Sequence, residues 1–420
     1  MSNTILTPQV ILKEAYAILH QSSNFIARTN RQYDDRFANR ELKIGQTLDV
    51  RLPPKYTTRD GNTMSQQNVV QRKVPLPLAT IKGVDINLTQ EQLTFDINDV
   101  SRDVLRPALT QLAATMEGDL LSTMYKQVWN VCGSVTTSVD FRSWQTAGKL
   151  LADNLAPPSD RTMTMNTQTR VDFSDSVKSL FQSSENIRQQ YVDGMVGRTG
   201  GFDVFENTLM PSHTAGTFTT NPVITTSAAS DTGFPGTGNA YTTEFEFKMD
   251  GSNPIAVKKG DVFTVSGVFE CHPETKVSLG YLKRFVVAED YSGTSGTHAI
   301  TASPAPILGG AYQNCVGSVL DGAAVTFLGI TSAASAVTYG QNLAFHRDAF
   351  AIVTADLEDP SAYGAWGSRQ VVDGISMRIW RQGDIVNGSF PCRIDIAYGG
   401  TAIYPEWAAR LVHSQSQLTL

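Results

Sequence analysis

The chain is poor in cysteine, has no long hydrophobic run and lacks the short signatures that carry catalysis. Its four cysteines, Cys132, Cys271, Cys315 and Cys392, lie far apart and form no C-x-x-C pair. That excludes zinc-ribbon and thioredoxin-like readings and leaves free buried thiols in a reducing compartment as the expectation. No stretch is apolar for the roughly 18 residues a membrane span needs, so no transmembrane helix is expected. No basic start leads into an apolar core, so no signal peptide is expected either. Without secretion the glycosylation-type patterns at Asn87 and Asn387 carry no meaning. Positive charge is in deficit, with 34 Lys+Arg against 40 Asp+Glu and a net charge of −6. A global basic signature for nucleic acid is therefore absent.

Catalytic motifs are missing too. There is no P-loop, no G-x-S-x-G elbow and no H-E-x-x-H. Gly233-x-x-Gly236-x-Gly238 has no strand before it and no helix after it, as a nucleotide loop requires. The six histidines, His20, His213, His272, His298, His346 and His413, are scattered. Cys271-His272 has no second ligand pair. Asp34-Asp35 and Glu289-Asp290 sit in polar turns and read as solvated. His346-Arg347-Asp348 resembles a kinase catalytic loop in three letters, without the other kinase signatures. The expectation is no catalytic residue, no cofactor and no metal.

What is present begins with residues 107–131. Leu109, Leu112, Ala113, Met116, Leu120, Met124 and Val128 recur at intervals of three and four, which places them on one helix face. Pro107 suits the first turn and Gly133 a stop. A helix of about 25 residues is about 37 Å long, a spine whose stripe the rest of the chain must cover.

Upstream, Thr7-Pro8 opens a short amphipathic helix reaching about Asn24. It cannot bury its stripe alone, so it must dock on the body or on another subunit. Removing residues 1–30 is expected to leave a folded body and impair assembly. Next comes a hairpin: 47–52 alternates as a strand, Pro53-Pro54 breaks it, residues 59–62 turn, and 69–74 and 79–88 return. Residues 40–82 carry eight Lys/Arg and three Asp/Glu, 8 − 3 = +5 in an acidic chain. Such a hairpin is either an arm lying on an acidic neighbour or a solvated surface hairpin. Arg51, Lys55, Arg59, Arg72 and Lys73 are the charges nearest its tip and the candidate intersubunit contacts. Reversing Arg59 and Arg72 is expected to change subunit stability by no more than about 0.5 kcal/mol.

After a short strand at 92–97 and the spine, 141–155 and 169–181 read as helices, and 161–165 and 202–206 as strands. The mixture indicates α+β or α/β. At His213 the composition shifts to Thr, Ser, Ala, Gly and Pro. Short strands at 243–249, 261–269, 283–289, 298–302 and 325–330 then suggest a small barrel or sandwich, with Gly267 a candidate bulge or close-approach site. The body resumes at Phe345 with strands at 348–355, 374–382 and 393–398. Residues 405–410 lead into a polar tail.

This order of parts resembles the major capsid (coat) proteins of tailed double-stranded DNA bacteriophages, which have the Hong Kong 97 type capsid fold. It is most similar to those of short-tailed Salmonella-type phages with an inserted β-barrel. The matching residues are Asp103-Val104-Leu105-Arg106-Pro107-Ala108-Leu109 with Leu112-Ala113, and Gly201-Phe202-Asp203-Val204. Val257 to Val268, Phe345-His346-Arg347-Asp348-Ala349-Phe350 and Arg393-Ile394-Asp395-Ile396-Ala397-Tyr398-Gly399 complete the set. The resemblance implies an α+β fold divided into an N-terminal arm (1–36), an extended hairpin (37–88), a spine helix and peripheral domain (89–132), an axial-domain core (133–212), an inserted barrel (213–340) and a return through axial and peripheral domains (341–420). It also implies a homo-oligomer of pentamers and hexamers, built with scaffolding protein and a portal at one vertex. That shell would enclose double-stranded DNA without sequence-specific binding or any membrane. It would be a virion capsid assembled in the bacterial host cytoplasm. A phage decoration or tail protein, or an enzyme with an unrecognised site, is the alternative.

Overall fold

The computed structural model describes residues 24–31, 47–64, 66–69, 71–78, 80–89, 106–177, 198–225, 244–250, 254–330, 336–364, 366–372, 375–383 and 389–415. The expected strand at 92–97 and the expected helix up to residue 23 lie outside them. The chain divides into two compact units. One comprises Met1–Val50, Val74–Leu121 and Phe350–Ile403; the other comprises Arg51–Lys73, Ser122–Ala349 and Tyr404–Leu420.

In the first unit the helix Arg106–Met124 buries Leu109, Leu112, Ala113, Met116 and Leu120 as its spacing predicts. The helix is shorter than expected. Tyr125–Gln127 tightens into a 3₁₀ turn, and Val131–Gly133 is already a strand. Val128, Trp129 and Val131 are β-branched or aromatic and favour helix weakly, and all three are buried in the second unit. Gly133 does not stop the helix. It ends a strand at φ 93°, where an added Cβ would collide with the Val412 carbonyl.

A five-stranded sheet completes this unit. Ser389–Ala402 pairs with Phe350–Ala355, with Ile375–Arg381 and, along Ser389 to Tyr398, with Thr80–Thr89. Cys392, Ile394, Ile396 and Tyr398 are buried, and so is Asp395 between them. Asp395 accepts from Arg378 at 2.6 Å and from Arg393 at 2.9 Å, so the buried charge is neutralised. Residues 24–30 pack here as well. Phe25 and Ile26 are buried, Phe25 N–H donates to the buried Glu117 at 2.8 Å, and Asn30 bridges to Ala351. Removing residues 1–30 therefore takes the buried Phe25 and Ile26 out of this core, a cost to set beside the expectation of a folded body.

The second unit holds a seven-stranded sheet. Its order is Val131–Gly133, Ala408–Ser414, Thr338–His346, Arg161–Met165, Phe202–Glu206 and Arg198–Thr199, with Ser212–Thr214 also on Thr338–His346. The second of these strands, Ala408–Ser414, runs through the end of the 405–410 segment into the expected polar tail, and it is buried from Ala408 to His413. Arg410 and His413 are both buried in it; His413 bonds to Asn166 and to the Ser414 carbonyl, and Arg410 donates through one guanidinium nitrogen to Gly260 O. The helix Phe141–Asp153 covers one face with Trp144, Ala147, Leu150 and Leu151, and Asp140 caps it by accepting from Ser143 N–H at 2.8 Å.

Residues between Thr214 and Thr338 form a six-stranded and a three-stranded sheet. Phe247, Phe263, Phe285 and Phe327 fill the space between strands with centroid separations of 5.0–5.6 Å. Gly267 is the expected bulge: its φ is 85°, and the register of Val262–Cys271 against Ser278–Val287 shifts between Thr264 and Phe269.

Candidate functional site

The basic hairpin begins as a two-stranded sheet of Thr47–Leu52 and Arg72–Pro77. Leu52 buries one apolar side chain at the base of the tip. Pro53-Pro54 then ends the ladder, because proline supplies no N–H. Beyond it the tip is fastened by side chains. Thr57 N–H donates to Gln67 Oε1 at 3.0 Å, Gln67 Nε2 donates to Thr57 O at 2.6 Å, and Arg59 donates to Thr63 O at 2.8 Å and to Gly61 O. Tyr56 (59% exposed), Met64 (74%) and Val69 (61%) carry their apolar surface in water. A small tip that exposes three large apolar groups beside cations is suited to contact with another surface.

The five candidate cations are not equivalent. Arg51, Lys55, Arg59 and Lys73 are exposed. Arg72 is buried, 3.7 Å from Glu406 and over the Tyr312 ring at 5.9 Å. It therefore works inside the subunit, and its reversal would set two carboxylates together, unlike the silent surface change expected from sequence. Lys55 N–H donates to Tyr312 Oη at 3.3 Å, fixing the hairpin base.

A second constellation, which motif reading missed, lies where the strands flanking the sheets between Thr214 and Thr338 meet. Ser212, His213 and Thr214 pair with Gly340, Tyr339 and Thr338. His213 Nε2 donates to Asp261 Oδ1 at 2.7 Å, and Nδ1 lies 2.9 Å from Tyr125 Oη. Asp261 Oδ2 accepts from Lys258 N–H at 2.8 Å and Gly216 N–H at 3.0 Å. Arg410 donates to Gly260 O at 2.9 Å, and its guanidinium lies 5.7 Å from the centre of the Tyr125 ring. His213, Asp261 and Arg410 are at most 3% exposed. Burial holds the imidazole below its ordinary pKa, outweighing the Asp261 hydrogen bond, so it is neutral at pH 7. Burial also pushes the Tyr125 phenol up to about 12, and it donates to Nδ1. These are fastening bonds that tie the strands together.

The four thiols are free and buried. Burial pushes Cys132 and Cys315 up to about 12 and Cys392 up to about 11, so they remain protonated and unreactive. Among the described residues no group of three or more His, Cys, Asp or Glu could hold a metal, and no helix is long and apolar enough to cross a membrane.

Comparison with known proteins adds one long match. The family model described as "P22 coat protein - gene protein 5" matches residues 8–411. No curated protein matches the chain. Similar solved structures include a Mycobacterium phage Che8 chain, at 12% identity and TM-score 0.49, covering 92% of this chain and 90% of that one. A chain from the capsid of the cyanophage P-SCSP1u is 9% identical, TM-score 0.45, covering 89% and 85%. A chain from the bacteriophage PhiM1 mature capsid is 10% identical, TM-score 0.43, covering 89% and 83%.

Proposed function

This chain belongs to the P22 coat protein family, and from that premise we propose how it builds its shell. As a member it is a major capsid protein, a structural rather than enzymatic component of a bacteriophage virion that self-assembles into a multi-subunit shell. The single observation that carries this is the span of the family match, residues 8–411 of 420.

The fold is of the Hong Kong 97 type, with Arg106–Met124 as the shortened spine. Assembly proceeds in the bacterial host cytoplasm, around a scaffolding protein and with a portal at one vertex, through pentamers and hexamers. The shell encloses double-stranded DNA without reading its sequence. A net charge of −6 suits an inner wall that must not grip DNA. Residues 213–340 form an inserted β-barrel domain. Two observations support it: the antiparallel meeting of His213 with Tyr339 at its ends, and a core built mainly from residues within it, among them Phe218, Phe247, Phe263, Phe285 and Phe327.

The hairpin tip is the intersubunit arm, with Arg51, Lys55, Arg59 and Lys73 facing carboxylates of a neighbour and Tyr56, Met64 and Val69 supplying apolar contact. Arg72 braces the arm from inside its own subunit. Exposed ion pairs are worth about 0–1 kcal/mol each, but a shell repeats them at every contact. The test is co-expression with and without a scaffolding protein, read by sedimentation. Closed shells of uniform size with scaffold and irregular ones without it are expected. Identical products in both would remove scaffolding from the account.

A further inference from the structure

A cleft of about 740 Å³ opens in the second unit, lined by Lys55, Trp129, Glu270, Lys276, Lys283 and Tyr312 among others. Lys283 Nζ donates to Glu270 Oε1 at 2.6 Å and sits 6.0 Å from the centre of the Trp129 ring. Glu270 is 3% exposed and Trp129 8%. Yet Glu270 Oε2 and Trp129 Nε1 have no hydrogen-bond partner among the described residues. Leaving buried polar atoms unmatched costs about 1–3 kcal/mol apiece. One is an acceptor and the other a donor, the complement of a peptide N–H and C=O.

The charge around the opening is also unbalanced. Lys276 Nζ donates to the carbonyls of Ala311 at 3.0 Å and Gln313 at 3.2 Å, which carry no countercharge. Lys55, exposed at the rim, is held below the usual lysine pKa by partial burial first, with Arg72, Lys276 and Lys283 adding to the effect and Glu406 opposing it. Partial burial lowers Lys276 as well. Cations crowded by their own sign gain most from an incoming carboxylate.

We propose that this cleft receives an extended acidic segment from a second copy of this chain. Its backbone N–H and C=O meet Glu270 Oε2 and Trp129 Nε1, and its carboxylate meets Lys55 and Lys276. The inference rests on the shell-forming function, because in a shell the surface that crowds this cleft is another copy. The chain's excess of Asp+Glu over Lys+Arg, 40 to 34, supplies the acidic segment. Tyr56 lines the same cleft, which makes the opening continuous with the exposed face of the hairpin tip.

The test is lysine acetylation footprinting by mass spectrometry on free subunits and intact particles. It is paired with zero-length amine–carboxyl cross-linking of particles assembled from mixed isotopically heavy and light subunits. Acetylation of Lys55 and Lys276 is expected to fall about tenfold on assembly, which corresponds to about 1.4 kcal/mol of protection. Cross-links from either lysine should join heavy to light chains at an Asp or Glu. Equal acetylation in both states, cross-links confined to Glu406 or Glu274 of the same chain, or cross-links to a protein other than the coat would each overturn the proposal. Absence of particles removes the shell as well; a modified Lys55 inside intact particles removes the cleft alone.

Discussion

Asp261 ties three segments together, because it accepts from His213 Nε2 and from two backbone N–H groups at once. Asp261→Ala strips all three donors of their acceptor at a fully buried position. It should lower unfolding free energy by about 2–4 kcal/mol in urea melts, and a change below about 0.5 kcal/mol would show that the site relaxes freely. His213 adds a pH term with a definite sign. Its folded-state pKa lies below the unfolded value of about 6.5, so the unfolded chain takes up the proton first. Its stabilising term is complete above about pH 6.5 and is lost as the pH falls from there toward the folded pKa. Burial lowers His346 and His413 too, with the same sign. His213→Gln should therefore reduce, without abolishing, the acid slope of subunit stability between about pH 7 and 5; an unchanged slope would remove His213 as a contributor. None of these pairings is written in local sequence. Asp261 lies 48 residues from His213, and the strand carrying Arg410 continues into what reads as polar tail until its neighbours are placed.

Elements were legible where periodicity was strong. The apolar stripe from Leu109, the strand Thr47–Leu52, the strand Arg161–Met165 and the bulge at Gly267 follow directly from spacing and residue type. Legibility failed where tertiary burial overrode local signal, as in the end of the spine helix after Met124 and in Ala408–Ser414. Two glycines turn this into a contrast. Gly267 has φ 85° and open space where a methyl would stand, so Gly267→Ala meets backbone strain alone, about 1–2 kcal/mol. Gly317 has φ 91°, and a Cβ there would collide with the Gly267 carbonyl, so Gly317→Ala should cost clearly more in the same thermal melt. Equal losses would mean the close approach relaxes. The hairpin offers a second contrast. Arg59→Glu alters an exposed turn and should leave subunit stability within about 0.5 kcal/mol while slowing light-scattering assembly at low salt. Arg72→Glu buries a carboxylate beside Glu406 and should destabilise the subunit itself by about 2 kcal/mol or more. Assembly kinetics for Arg59→Glu matching wild type at every ionic strength would return the hairpin to a solvated surface.

For the molecule as a whole, the two units use different means to one end. The first is a spine helix and sheet with a buried Asp395 held by Arg378 and Arg393. The second joins an α+β sheet to the strands between Thr214 and Thr338 through a core that Trp129, Val131, Tyr339 and Val412 share with the phenylalanine cluster. That shared core predicts that residues 213–340 expressed alone melt cooperatively but below the intact chain, since Trp129, Val131 and Val412 are left behind. A fragment with no transition would contradict the inserted domain. The claim on which everything rests is that this chain closes shells, and electron microscopy of the purified assembly products tests it most directly. Closed particles with five- and six-fold clusters, or tubes of the same lattice, are the predicted result; a discrete small oligomer at every concentration would contradict it.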